Sequence, residues 1–345
     1  MPSSPGDLAG RRILLIAPMF FGYEMRIVEH LRERGAHAEY LNERPGASSL
    51  AKMVVRSRSR FLRVYARKYY ARALGRLKGA TFDDILLISP EACQPETIRQ
   101  FRQHFPGVRL ILYMWDSFTN KGITDPRTFI GLFDRALTFD DSDAAAYSIG
   151  FRPLFFCSKR ECASQAAKYA FSFAGTIHSD RYRVLKRLGR TADTLGMSYF
   201  IFPFLPSRMI YWFYLVTKRE FRGTRPGDFR FVPMPYSEIQ ETFASSIAIV
   251  DVQHPGQRGL TMRTMEALGS GKKLITTNKH IATYPFFSPD RVLVIDRKAP
   301  ILTPDFLRAP TGSLDERMLA SYSLESWVNA ILLDRSSPTE QDHVP

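Results

Sequence analysis

The stretch "HPGQRGLTMRTMEALGSGKKLITTN", residues 254–278, decides how the rest of the chain is read. Ahead of it stands "SSIAIVDVQ", a short apolar, β-branched run bounded by polar residues, which is the pattern of a buried strand. Within it, "LTMRTMEALGSG" reads as a helix ended by glycine, and "KLITTN" opens another apolar run. The order is therefore strand, glycine loop, helix, strand. It sets the N-terminus of a helix, with its free N–H groups, at the carboxyl edge of a sheet, where open α/β folds bind anions. Glu266 sits inside this helix among apolar neighbours, which is an unusual place for a carboxylate with no task.

Outward from this stretch the same alternation covers the chain. "RRILLIAP", "HAEYLNERP", "DDILLISP", "RLILYMWD" and the run before "FDDSD" predict strands in the first half, separated by helical segments such as "YEMRIVEHLRERG". "FSFAGT", "SYFIFPFLP", "DFRFVPMP", "SIAIVDVQ", "KLITTN" and "RVLVID" predict strands in the second half. Strands alternating with helices specify parallel doubly wound sheets. With 345 residues the chain is long for one core. We expect an α/β protein of two Rossmann-like domains facing across a cleft. The first covers residues 1–165, the second 166–310, and a C-terminal helix and tail cover 311–345. That last helix, "SLESWVNAILLD", carries Leu324, Trp327, Val328, Ile331 and Leu332 on one face and must pack somewhere.

The net charge of +14 calls for anionic partners: nucleotide phosphates, lipid head groups or nucleic acid. Residues 51–80 hold much of the excess and contain no Asp or Glu. Read as a helix, they align Arg56, Arg60, Arg63 and Arg67 in one basic stripe beside Leu62, Tyr65 and Tyr69. The stripe reads either as a solvated face of a packed helix or as a contact for an anionic membrane or a lipid-linked acceptor. Residues 197–216 are apolar enough to suggest a membrane span, but Pro203, Pro206 and Arg208 interrupt them. A strand, a turn and a helix is the better reading, since a mid-span arginine costs roughly 2.5–3.5 kcal/mol. Of its aromatic run, Tyr211 to Tyr214, core packing is the more ordinary reading and contact with a bilayer surface the other. Three cysteines (Cys93, Cys157, Cys162) and no recognisable secretion signal point to a cytoplasmic location, peripheral on the inner membrane if the basic stripe binds lipid. Cys157 and Cys162 lack the second pair of ligands a zinc site needs.

No strand is followed by G-x-G-x-x-G and no G-x-x-x-x-G-K-[ST] occurs, so dehydrogenase and P-loop chemistry fit poorly. The segment "GLTMRTMEALGSGKKLITTN" resembles the donor-binding segment of glycosyltransferases with the two-domain GT-B fold, whose common form runs E-G-x-G-x-x-x-x-E-A-x-x-x-G-x-P-V-I. "GTIHSDRY", "HPGQRGLTMRTMEALGSGKKLITTNK" and "IAPMFFGYE" are similar to bacterial capsule, exopolysaccharide and lipopolysaccharide glycosyltransferases of that fold. The resemblance implies that Glu266 binds the ribose hydroxyls of a nucleotide-sugar and that Gly259 matches a donor-site glycine. Two positions depart from the pattern: Arg258 stands where the family's first glutamate would be, and Lys273 where its proline would be.

The residue types suit that chemistry on their own terms. An ionised carboxylate accepts from both hydroxyls of a ribose diol, so Glu266 can hold one. A diphosphate needs N–H groups and cations, which the Thr261–Met262–Arg263 and Gly175–Thr176–Ile177–His178 loops, each opening a helix, and Arg181 can supply. His178 reads equally as a structural histidine or as a contact to the leaving phosphate, and Arg181 equally as a surface ion pair. Asp116 in "YMWDSF" directly follows a strand, which suits either a base for the acceptor hydroxyl or a helix N-cap. Asp141 and Asp143 have the D-x-D spacing of metal-dependent transferases, a weaker alternative. We expect no cofactor and no divalent metal. The expected function is sugar transfer from a nucleotide-sugar donor to a glycan or lipid-linked acceptor in cell-surface polysaccharide biosynthesis. The rivals are a nucleotide-sugar epimerase of the same fold and a non-catalytic, basic nucleic-acid- or polysaccharide-binding protein; no nucleic-acid module is evident and no nucleic-acid partner is expected.

Overall fold

The computed structural model describes residues 7–44, 60–118, 126–157 and 167–334. By its contacts the chain divides into one unit of Met1–Pro153 with Leu324–Pro345 and another of Leu154–Ser323. Residue 165, where the sequence places the joint, lies outside the described residues.

In chain order the first unit contains β1 (Arg12–Ala17), α1 (Tyr23–Glu33), β2 (His37–Asn42), α2 (Arg60–Arg76), β3 (Asp84–Ile88), α3 (Pro95–His104), β4 (Arg109–Met114), α4 (Pro126–Ile130), β5 (Arg135–Thr138), α5 (Asp141–Tyr147) and β6 (Gly150–Phe151). All pairings are parallel, in the order β2-β1-β3-β4-β5-β6. Every residue of β3 is buried, and so is all of β4 after Arg109, as expected of strands covered on both faces. Glycine supplies the left-handed turn that lets α1 run into β2: Gly35 has φ +90°.

The second unit contains β7 (Tyr169–Thr176), α6 (Arg181–Thr194), β8 (Tyr199–Phe204), α7 (Arg208–Thr217), α8 (Tyr236–Ala244), β9 (Ser246–Asp251), α9 (Met262–Gly269), β10 (Lys273–Thr276), β11 (Val292–Val294), α10 (Pro304–Arg308) and α11 (Glu316–Ser321). Its sheet is also wholly parallel, in the order β11-β10-β9-β7-β8. The expectation of two parallel α/β sheets therefore holds. Residues 197–216 form a strand, a turn and a helix, and no helix among the described residues is long and apolar enough to cross a membrane.

Three expectations change. "DFRFVPMP" is no strand: Arg230 alone extends the sheet, bridging Phe204, because Pro226, Pro233 and Pro235 have no N–H to donate to a ladder. The segment 311–345, read from the sequence as one C-terminal piece, is divided by its contacts between Ser323 and Leu324. As α12 (Leu324–Val328) with a π-turn to Leu333, the expected helix packs in the first unit, where Trp327 meets the Tyr113 ring edge-on at 4.8 Å and Arg109 donates to the Leu332 carbonyl. All five of its expected apolar positions are buried. Third, the aromatic stripe on the basic helix is divided: Tyr65 is exposed, but Tyr69 packs on the core and its hydroxyl donates to the Asn42 carbonyl at 2.6 Å.

Candidate functional site

In the second sheet the chain leaves β7 toward β8 on one side and comes back to β9 on the other, so the strand order reverses between β7 and β9. A reversal of this kind leaves a crevice at the carboxyl ends of the two strands. Here the strands also part early. Their registered pairs end at Ser172 with Ile249, although β7 runs on to Thr176 and β9 to Asp251.

Guanidinium groups take up the carbonyls at this opening. Arg181, the first residue of α6, donates to Thr176 O at 2.6 Å and Val252 O at 2.7 Å, spanning the two strand ends. Arg263, in the first turn of α9, donates to Ala174 O and lies over the Phe173 ring, 5.0 Å from its centre. Arg297 bonds both Gln253 O and the Asp180 carboxylate. Desolvation in the crevice, with Arg263 and Arg297 nearby, outweighs the opposing pull of Asp251 and lowers the Arg181 pKa to about 9. The group remains cationic at neutral pH. Two half-buried imidazoles complete the cluster, His178 and His254, with ring centres 5.7 Å apart.

Gly175 belongs to strand β7 itself and not to a loop, which corrects the sequence reading. What the position provides is space: a Cβ there would stand 2.9 Å from Arg263 Nη2. The helix openings are as expected at Thr261, which caps α9 by accepting from Thr264 N at 3.3 Å. Gly259 is buried just ahead, its carbonyl accepting from Gln257 Nε2. Arg258 is exposed, and its carbonyl is held by Asn278.

Glu266 is buried, as its neighbours in the sequence imply, and faces α8: it accepts from Gln240 Nε2 at 3.1 Å and Tyr236 OH at 3.4 Å. The structure thus brings Gly175, His178, Arg181 and Arg263 together around the strand opening, with Thr261 at the head of the same helix as Arg263. Glu266, three residues after Arg263 and so its neighbour on the helix surface, turns to α8, whose Phe243 ring also lies 5.7 Å from the Arg263 guanidinium.

In the first unit Asp116 lies two residues beyond β4, at the carboxyl edge as expected, and its N–H donates to Ser89 Oγ. Phe20 and Trp115 stand beside this edge, ring centres 5.7 Å apart. The D-x-D pair does not converge. Asp141 is exposed, whereas Asp143 is buried and accepts from Phe118 N at 2.9 Å, because residues two apart on a helix point to different faces. Among the described residues no group of three acidic, His or Cys side chains could hold a metal ion. Of the basic stripe, Arg56 lies outside the described residues, Arg60 and Arg63 fall in the first turn of α2, and Arg67 is exposed.

Sequence reasoning missed His254, Arg297, Tyr236, Gln240 and Glu43. The signal for His254 was its place at the start of the glycine loop, just beyond β9; the others have none, since long-range packing alone brings them in. Glu43 follows β2 and is wholly buried, with one oxygen accepting from the N–H groups of Glu91, Ala92 and Cys93. Burial outweighs those bonds and the nearby Arg44, and pushes its carboxyl up to about 7.

No protein-family model matches the chain, and no curated protein matches it in sequence. Solved structures do match its fold. A Methanocaldococcus jannaschii UDP-GlcNAc 2-epimerase in complex with UDP-GlcNAc and UDP is 10% identical at TM-score 0.55, over 94% of this chain and 100% of that one. The S. aureus MnaA–UDP co-structure is 11% identical at TM-score 0.52, over 91% and 92%. The catalytic domain of Starch Synthase IV from Arabidopsis thaliana, bound to ADP and acarbose, is 10% identical at TM-score 0.52, over 95% and 93%. At such identities the likeness is one of fold, and the fold is GT-B.

Proposed function

We propose that the chain is a glycosyltransferase that moves a sugar from a nucleotide-sugar donor to a glycan or lipid-linked acceptor, in the biosynthesis of a cell-surface polysaccharide such as a capsule or lipopolysaccharide. One observation carries the reading: the cluster of Arg181, Arg263 and Arg297 with His178 and His254 over the parted ends of β7 and β9. Cations anchored on main-chain carbonyls are held in place before an anion arrives, which is what binding a diphosphate asks of them.

In this reading Arg181 and Arg263, with the N-terminus of α9 at Thr261, receive the diphosphate. Gly259 allows the chain to approach it and His178 meets the leaving phosphate. Glu266 accepts from the ribose hydroxyls, helped into position by Gln240 and Tyr236. In transfer the acceptor oxygen forms a bond to the anomeric carbon as the bond from that carbon to phosphate breaks. The nucleoside diphosphate leaves with the electron pair, and Asp116 takes the acceptor proton. The arginines neutralise the developing charge, so the proposed step uses neither a divalent ion nor a cofactor. The net charge of +14 supports work at an anionic membrane surface, on the cytoplasmic side.

A nucleotide-sugar epimerase is the second reading, favoured by the likeness to the UDP-GlcNAc 2-epimerase. It needs no acceptor. The chain is therefore incubated with candidate nucleotide-sugars, with and without a lipid-linked glycan extract, and nucleoside diphosphate and sugar epimers are measured. Transfer predicts diphosphate release that depends on acceptor and falls at least about 100-fold in kcat in Asp116→Asn, with nucleotide affinity unchanged. Epimer formed without acceptor would overturn it.

A further inference from the structure

Helix α7, "RMIYWFYLVT", is apolar around nearly its whole circumference, yet only half of it is covered. Ile210, Tyr211, Tyr214 and Leu215 turn inward onto the core of the second unit, and the Tyr211 hydroxyl donates to Thr224 O at 2.8 Å. On the opposite face Met209, Trp212 and Phe213 are each 55% exposed and Val216 is 83% exposed. These four positions are spaced i, i+3, i+4, i+7, a single stripe. Because the inner face is anchored, the outer one is a surface of the folded unit and not a frayed end.

Its surroundings are basic. Arg208 precedes the stripe, and Lys218, Arg219, Arg222, Arg225 and Arg230 follow it, all exposed. Glu220 and Asp228 are the only acids between residues 207 and 232, and the Asp228 carboxylate is engaged by Arg225 N at 2.9 Å. Arg208 lies over the Phe231 ring at 5.8 Å, next to Val232, which is also exposed.

We propose that α7 docks the second unit on an anionic phospholipid bilayer, lying in the plane of the interface. Ten residues are too few to cross a bilayer. A short helix with aromatic and aliphatic residues on one face and cations at its borders suits the boundary between head groups and acyl chains. Pairing with a second copy of the chain through this stripe is disfavoured, because a two-fold interface would bring the same cations of both copies together. The inference gives the proposed membrane-surface location a definite contact and stands whether or not the crevice transfers sugar.

Trp212 provides the readout. Of the three tryptophans it alone is exposed, with Trp115 and Trp327 buried. Full-length chain is mixed with vesicles of phosphatidylcholine alone or of phosphatidylcholine with about one third phosphatidylglycerol. On the anionic vesicles the emission should shift to the blue and lose its quenching by acrylamide. Trp212→Ser with Phe213→Ser should lower co-sedimentation at least about tenfold. Gln at Lys218, Arg219 and Arg222 should lower it about 100-fold at low salt. Both variants keep nucleotide affinity, so loss of docking and failure of the donor site are separable. Emission that stays quenchable on anionic vesicles, or partitioning that the Ser variant leaves unchanged and residues 51–80 account for, overturns the proposal. So does concentration-dependent self-association that the Ser variant abolishes without any effect of vesicles.

Discussion

Replacing Gly175 by alanine adds one methyl group to β7 and directs it at a cation. The new Cβ would lie 2.9 Å from Arg263 Nη2 and 3.3 Å from Phe173 Cζ, both closer than ordinary van der Waals contact, and 3.4 Å from Arg263 Cζ. The nearest of these atoms is the far end of a flexible side chain, so the guanidinium yields and the strand does not. Arg263 then leaves its bond to Ala174 O, while alanine restricts the unfolded chain by about 0.4–1 kcal/mol. Loss of the bond and gain from alanine largely offset each other, and stability should fall by only about 1 kcal/mol. Binding should suffer more. A charge-assisted contact to phosphate contributes roughly 1.5–3 kcal/mol, so affinity for a nucleoside diphosphate should drop about 10- to 150-fold. Titration calorimetry with UDP, GDP, ADP and TDP identifies the nucleotide first and then measures the loss. The control is a double-mutant cycle: on an Arg263→Met background, Gly175→Ala should change affinity less than about twofold. Native affinity in Gly175→Ala, or an undiminished loss on the Met background, would refute the role given to Arg263.

Glu266→Gln should weaken nucleotide binding about 10- to 150-fold with the fold intact, and unchanged affinity by calorimetry removes Glu266 from the site. Glu43 links stability to pH: its carboxyl is raised from 4.5 to about 7 by burial, so the folded chain holds this proton more tightly than the unfolded one. The contribution is full below about pH 4.5 and declines as pH rises through 7, by on the order of 3 kcal/mol. Glu43→Gln keeps an acceptor for the three N–H groups and should flatten the fall in urea midpoint between pH 5 and 8; an equally steep fall in the variant contradicts the assignment. Trp327→Ala should destabilise the first unit by about 3–5 kcal/mol, read by chemical denaturation, and a cost under about 1 kcal/mol would mean that α12 is not integral to it.

The sheets were legible because buried parallel strands are written as continuous apolar runs, and "DILLI" or "AIVD" can be little else between turn residues. Position relative to a strand end was legible for the same reason, which is how Asp116, Arg181 and Arg263 could be singled out. Less could be read where meaning depends on distant partners. Gly175 looks like a loop glycine in "FAGTIH", and only the neighbouring Arg263, 88 residues later, reveals that its missing side chain is what matters. Glu43 in "LNERP" has the composition of a solvated turn, yet the loop after β3 folds over it. The apolar face of the last helix was plain, but its return to the first unit is a property of packing between remote segments. Tyr211 to Tyr214 show both outcomes in four residues, since a helix turns the first and last of the run inward and the middle two outward.

Binding of a nucleotide-sugar's diphosphate at the parted ends of β7 and β9 underlies the proposed function. It is tested most directly by titrating the chain with the preferred nucleoside diphosphate and with the corresponding nucleoside, each against native protein and Arg181→Met. The diphosphate should bind saturably, the nucleoside at least about 100-fold more weakly, and the preference should largely disappear in Arg181→Met. Equal affinity for the two ligands, or a diphosphate preference that survives Arg181→Met intact, would contradict it.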